Sequence, residues 1–138
     1  MVLVYSAEGV HGTPPQDTPG AKTDAALLAK LLAWQVPLGI SDNLPADKQK
    51  TGRPNSGGSI VTAGGVVFIG ATDDSRFRAF DAKTGTELWT IKLAAGSHSV
   101  PVTYQGKNGK QYVVFPSTGG NILTGAAADD SFFAYALP

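Results

Sequence analysis

The chain has 138 residues, with 11 basic and 11 acidic side chains, so no net charge draws it to nucleic acid or an acidic membrane surface. Cysteine is absent, which excludes disulfides and thiolate metal sites. With 42% hydrophobic and only 16% charged residues, 17 glycines and 9 prolines, the composition favours one all-β domain with many tight turns over disorder.

Val2 to Tyr5 reads as a short apolar strand, followed by a loop rich in glycine and proline. Ala25 to Ala33 has the composition of a helix former but runs without a break into Trp34-Gln35-Val36-Pro37, which reads as strand. Residues 38–57 form an irregular connection. From Gly58 the pattern sharpens into strands at Ser59 to Thr62, Val66 to Ile69, Phe77 to Asp81 and Glu87 to Leu93, separated by turn formers. Val66-Val67-Phe68-Ile69 is apolar without alternation, as expected of a strand covered on both faces. The pattern then restarts: Val100 to Tyr104, a turn at Asn108-Gly109, Gln111 to Phe115, and Phe132 to Ala136. No apolar stretch approaches the roughly 20 residues of a membrane span. Met1 to Tyr5 is too short for a secretory signal and lacks its basic start, so any signal lies outside this chain.

The spacing is that of a repeat. Thr62 and Thr103 lie about 41 residues apart, the size of one four-stranded propeller blade. Ala79 and Ala134 lie about 55 apart, which implies a long insertion over 117–131. The expected fold is therefore all-β, with β-propeller blades built from about two four-stranded antiparallel meanders. An orphan outer strand at 31–37 precedes a complete blade at 58–93 and a three-stranded blade at 100–136. Residues 1–30 form a loop-rich segment outside this propeller-blade region of 31–138. The missing outer strand of the last blade and the orphan strand around Trp34 suggest completion of a propeller by oligomerisation or strand exchange, with exposed blade edges joining a homo-oligomer. An N-terminal strand folding back within one chain is the rival arrangement.

In the run Ala79-Phe80-Asp81-Ala82-Lys83-Thr84-Gly85-Thr86-Glu87-Leu88-Trp89, Gly85 suits the positive φ of a hairpin, and Asp81 and Thr84 can hydrogen-bond within the turn. Trp89 offers a large flat ring, and the small Ala79 leaves room for a ring from an adjacent blade. Ala79, Asp81, Thr84, Gly85 and Trp89 together resemble the tryptophan-docking motif of the pyrroloquinoline-quinone (PQQ) dependent dehydrogenases. Trp34 to Gly39, Gly52 to Gly58, Thr62 to Thr72, Gly109 to Val114 and Ala134 to Pro138 resemble the C-terminal end of the membrane-bound glucose, quinate and polyol branch. The likeness covers about residues 31–138. At Trp34 the motif has decayed: Asp24 and Ala26 stand at the alanine and aspartate positions, and Ala29 and Lys30 replace Thr-Gly.

The resemblance implies a periplasmic propeller that holds PQQ and calcium, oxidises a sugar, polyol or alcohol, and passes electrons to a quinone. The family's catalytic base and calcium ligands match no position here, so no catalytic or metal residue is carried over, and the single chain is expected to be inactive alone. Asn55, Gly57 and Gly58 match the segment that enters a blade near the cofactor pocket: Asn55 to bond PQQ, the glycines to let backbone approach it. The competing reading is a turn whose Asn caps its own backbone. His98 reads as a solvent-facing loop residue, with a place in the cofactor channel as the alternative. His11 stands isolated, without metal-ligand spacing to His98. Asp73-Asp74 and Asp129-Asp130 read as solvated turn carboxylates, and Gly64-Gly65 and Gly119-Gly120 lack the helix a phosphate loop needs. A non-catalytic, self-assembling propeller fragment is the alternative function.

Overall fold

The computed structural model describes residues 2–5, 32–120 and 128–136, the first four as backbone only. The described residues form nine strands in three antiparallel sheets. The first pairs β1 (Val2–Tyr5) with β2 (Leu32–Val36). The second runs in chain order through β3 (Ser59–Val61), β4 (Val66–Ile69), β5 (Arg76–Asp81) and β6 (Glu87–Lys92). The third joins β7 (Val102–Gln105), β8 (Gln111–Gly119) and β9 (Ala128–Ala136).

Turn chemistry fixes the meander. Gly65, Gly85 and Gly109 carry the positive φ values of three hairpins, at 79°, 71° and 76°. Between β5 and β6 the Asp81 carboxylate accepts the Lys83 and Thr84 N–H groups and the Thr84 hydroxyl. The Thr84 amide, its hydroxyl and the Lys83 amide hold the Asp81 carboxyl below its ordinary range.

The central sheet is covered on both faces, which explains the unbroken apolar run in β4. Alternate side chains point to opposite faces. Val67, Ile69 and Phe80 pack with Trp34 and Leu38 on one side. Phe68, Phe77, Ala79 and Leu93 pack with Val113 and Phe115 on the other. The Phe77 and Phe115 rings stack at 3.5 Å, and both residues are fully buried. Burial of each is worth about 2–3 kcal/mol.

Leu31 to Pro37 departs from expectation, since β2 has a partner in β1. Trp34 lies opposite Val4 just as Trp89 lies opposite Ala79, and a register shift follows each pair, between Val4 and Tyr5 and between Ala79 and Phe80. The first sheet therefore repeats β5–β6. Counting back from Trp34 at fixed spacing fails because the connection from β1 to β2 is longer than the one from β5 to β6. Asp24, Ala26, Ala29 and Lys30 lie outside the described residues. Exporting β2 to another subunit would strip β1 of its partner.

The 117–131 insertion is also shorter than expected. Strands β8 and β9 extend to Gly119 and from Ala128, pairing Ser117 with Ser131 and Gly119 with Ala128 across a bulge. Pro116 is tolerated because β7 pairs with β8 only as far as Val114, so no β7 partner needs its missing N–H.

Candidate functional site

A meander alternates its turns between two ends. The connections from β2 to β3, β4 to β5, β6 to β7 and β8 to β9 therefore share one end, and Asn55, Gly57 and Gly58 lie there. Pro54 to Ser56 runs alongside Ala71 to Asp73: Asn55 bridges Thr72, Ser56 N–H donates to Ala71 O at 2.8 Å, and Asp73 N–H donates to Pro54 O. This pins the Asn55 backbone while the residue stays exposed.

The glycines have an internal reason to be glycine. A Cβ at Gly57 would lie 3.1 Å from Ala71 Cα, and one at Gly58 would lie 2.6 Å from Val100 Cγ2. Their missing side chains let this chain's own segments meet. Ala71 is the hub of that meeting. It has a φ of 53°, unusual for a residue with a Cβ, and its N–H donates to Ser97 O at 2.6 Å.

His98 is half-buried, not solvent-facing. Its Nδ1 lies 3.1 Å from Ser56 Oγ and 3.2 Å from Ala71 O. A carbonyl only accepts, so Nδ1 carries a proton. Nε2 faces Gly96, and Ser97 Oγ, His98 Nε2 and Ser99 Oγ are buried without a hydrogen-bond partner among the described residues. His11 lies outside the described residues.

Asp73 and Asp74 overturn their reading as solvated turn carboxylates. Their side chains are 2% and 1% exposed. Arg53 grips Asp73 with two hydrogen bonds, 2.8 and 2.9 Å long. Asp74 accepts from the buried Arg78 guanidinium, from Thr72 Oγ1 at 2.7 Å and from Ile40 N–H at 2.8 Å. Burial pushes the Asp74 carboxyl up, but Arg78, Thr72 and the Ile40 amide outweigh it and hold it below its ordinary range. Asp42 joins the lattice through Arg76 and Lys92, whose hydrogen bonds lower its pKa, and the Asp73 pairing raises that of Arg53. A cleft of about 360 Å³ opens beside these residues, lined by Ile40, Asp42, Arg53, Asp74 and Lys92. The charges there are spent on one another, which favours a structural role for the cleft. Sequence reasoning passed over Arg53, Arg78 and Ala71; the signal lay in two arginines flanking an Asp-Asp pair. Asp129 and Asp130 are strand residues of β9, the first with a buried carboxylate oxygen and the second exposed.

The two tryptophans differ. Trp34 Nε1 donates to Ala82 O at 2.9 Å, and its ring covers Gly85, where a Cβ would lie 2.5 Å from it. Trp89 sits edge-on to Tyr135 at 5.3 Å, more than a third exposed. No three His, Asp or Glu side chains converge among the described residues, so the calcium implied by the resemblance finds no ligand set here. PQQ, a flat anionic quinone, fits better: a pinned, exposed Asn55 beside glycine backbone offers donors to such a group.

Consecutive meanders packed face to face, each outer strand leading across one end to the next inner strand, define propeller blades. The chain belongs to the family of the glucose/ethanol/alcohol dehydrogenase β-propeller domain (PQQ), whose model matches residues 5–113. The match thus begins well before residue 31, the start of the likeness read from the motifs. The chain is 46% identical to quinoprotein glucose dehydrogenase A of Acinetobacter calcoaceticus over 78% of its length. It is 40% identical to a probable quinate dehydrogenase (quinone) of Xanthomonas campestris over 92%, and 42% identical to the glycerol dehydrogenase large subunit of Gluconobacter oxydans over 76%. It spans 14%, 17% and 15% of those relatives. Among the described residues no helix is long and apolar enough to cross a membrane.

Proposed function

We propose that the chain forms part of the propeller wall of a periplasmic, PQQ-dependent dehydrogenase that oxidises a sugar, polyol or alcohol and delivers electrons to a quinone. The supporting observation is Asn55, held by the bridge to Thr72 at the end where the blade-to-blade connections gather. Bound PQQ supplies the two-electron acceptor. Asn55 would donate its side-chain amide to PQQ, the backbone at Gly57 and Gly58 would line the approach to it, and Arg53–Asp73 would keep that segment in place. Two blades and a part of a third do not enclose an axial pocket, so binding by this chain is weak and turnover requires the remaining blades.

Titrating the chain with PQQ and calcium while following tryptophan fluorescence and dye reduction tests this. Saturable quenching without sugar-dependent dye reduction is expected, weakened in Asn55→Ala and Gly58→Ala. Gly58→Ala is informative because only the exposed Val100 side chain stands near the new methyl, so the fold should survive it. No quenching at near-millimolar PQQ, or quenching indifferent to both substitutions, removes the cofactor role from these residues.

A second reading is a self-assembling propeller piece without redox chemistry, homo-oligomeric through its blade edges. Among the described residues no strand pairs with the outer edge of β9, which favours it. That strand, Ala-Asp-Asp-Ser-Phe-Phe-Ala-Tyr-Ala, contains none of the lysines, arginines or prolines that usually protect an edge.

A further inference from the structure

We infer that His98 is the positioning residue for Asn55: its ring is a wedge between Gly96 and Ser56 that sets where the Asn55 amide stands. The inference rests on the cofactor reading above, and it names a residue that serves that site without touching PQQ.

Both ring nitrogens are turned inward. Nδ1 lies 3.1 Å from Ser56 Oγ and 3.2 Å from Ala71 O, so one N–H faces two acceptors. Nε2 is buried against Gly96. Asn55, by contrast, is exposed and is held by its backbone bridge to Thr72. Its neighbour Ser56 carries the link to His98. Ser56 N–H donates to Ala71 O at 2.8 Å, and its hydroxyl oxygen meets His98 Nδ1. The two lone pairs of the Ala71 carbonyl thus receive Ser56 and His98 together. Without the ring, Ser56 keeps only its amide bond among the described residues.

The back of the wedge is equally defined. A Cβ on Gly96 would lie 2.5 Å from His98 Nε2, 3.0 Å from Cε1 and 3.2 Å from Cδ2, so the atoms it meets first all belong to this ring. Gly96 is not among the residues of positive φ. Its backbone therefore does not demand glycine, whereas the room for the ring does. The segment behind the ring is itself anchored to β8. Gly96 O accepts Gly119 N–H at 2.8 Å, and Ala95 O accepts the Ser117 hydroxyl at 2.9 Å. His98 thus relays the position of the third sheet to the connection that carries Asn55.

Losing the wedge lowers the fraction of Asn55 that stands ready, and the apparent Kd rises by the inverse of that fraction. One hydrogen bond's worth of order corresponds to roughly two- to tenfold. The loss cannot exceed that of Asn55→Ala, because it passes through Asn55.

The test is PQQ titration of the full chain by tryptophan fluorescence, with the Asn55 side-chain amide signal followed by NMR. Gly96→Ala drives a methyl against the ring and should weaken binding roughly two- to tenfold. Adding His98→Asn should restore it: the shorter amide keeps a donor at the place of Nδ1 and vacates the space beside Gly96. In an Asn55→Ala background neither substitution should change the affinity further, whereas a merely structural role would weaken binding there too. If Gly96→Ala fails to fold, His98→Ala, which removes bulk, takes its place in the comparison with His98→Asn. Wild-type affinity in the disrupting variant, a His98→Asn variant no better than it, or a further loss in the Asn55→Ala background each overturns the assignment. A wild-type chain that shows no saturable quenching removes the cofactor reading, and the Asn55 amide signal then decides alone. Its displacement by Gly96→Ala and return with His98→Asn uphold the positioning role; a signal that does not move overturns it.

Discussion

Replacing Asp74 by Asn tests the charge lattice that ties the connection from β2 to β3 to the central sheet. The Asp74 and Arg78 side chains are 1% and 2% exposed. An amide has one acceptor oxygen, so it keeps either the Thr72 bond or the Ile40 N–H bond, which reach different carboxylate oxygens, and it cannot balance the guanidinium. Arg78 would then keep Thr72 Oγ1 at 3.2 Å and the partly exposed Glu87 at 3.5 Å. Breaking a buried pair by removing one charge costs about 3–5 kcal/mol. That is a large share of the ~5–15 kcal/mol available to a domain, and corresponds to a fall in Tm of roughly 10–20 °C. Urea unfolding followed by tryptophan fluorescence is the assay, since Trp34 is buried between the first two sheets. The double variant Asp74→Asn with Arg78→Met should recover at least ~1 kcal/mol of the loss, because it removes the stranded charge along with its partner. A single-variant cost below about 1 kcal/mol, or a double variant equal to the sum of the two singles, would refute the pairing as an energetic unit.

Three further outcomes follow from the same geometry. Trp34→Phe keeps a ring over Gly85 but loses the Nε1 bond to Ala82 O, and should cost about 1 kcal/mol by urea unfolding. Gly85→Ala should cost more than Gly58→Ala: it combines a φ of 71° with a rigid indole 2.5 Å away, whereas Gly58 faces an exposed valine able to turn aside. Equal melting temperatures for the two glycine variants would contradict this. Acid should destabilise the fold. The Asp74 and Asp81 carboxyls are held below their unfolded values, so their contribution is complete above about pH 4 and is lost as pH falls through their folded pKa values. Urea midpoints that hold or rise from pH 5 to about pH 2 would show the opposite linkage.

The repeating strands were legible because their signals are local. Val66 to Ile69 announces two-sided burial, and Asp81 to Gly85 announces its own turn. What escaped was set by partners distant in the chain. Asp73 looks like any turn carboxylate until Arg53, which precedes it by 20 residues, is folded against it. His98 looks like a loop residue until Ser56 and Ala71 arrive from two other connections. The partner of Trp34 escaped for a different reason. Fixed-spacing motifs assume a constant hairpin, and the connection from β1 to β2 is longer, so sheet register, not residue count, identified Val4.

The candidate site belongs to no single blade. Asn55 comes from the connection out of the first sheet, its bridging partner Thr72 from the turn of the second, and His98 from the connection into the third. Ala71 joins all three through Ser56, Ser97 and His98. The left-handed backbone of Ala71 costs about 1 kcal/mol, and it lies where the three segments cross. The glycines on either side serve the same crossing: Gly57 admits Ala71, and Gly70 would drive a Cβ to within 2.5 Å of Ser97. The position of Asn55 is therefore fixed by how the three sheets sit against one another. A change at either buried sheet interface, even one remote from Asn55, should then reach it through Ala71. The aromatic stack of Phe77 on Phe115 and the seat of Trp34 over Gly85 thus hold the Asn55 segment in place, and the proposed binding of PQQ at Asn55 would depend on both interfaces staying closed.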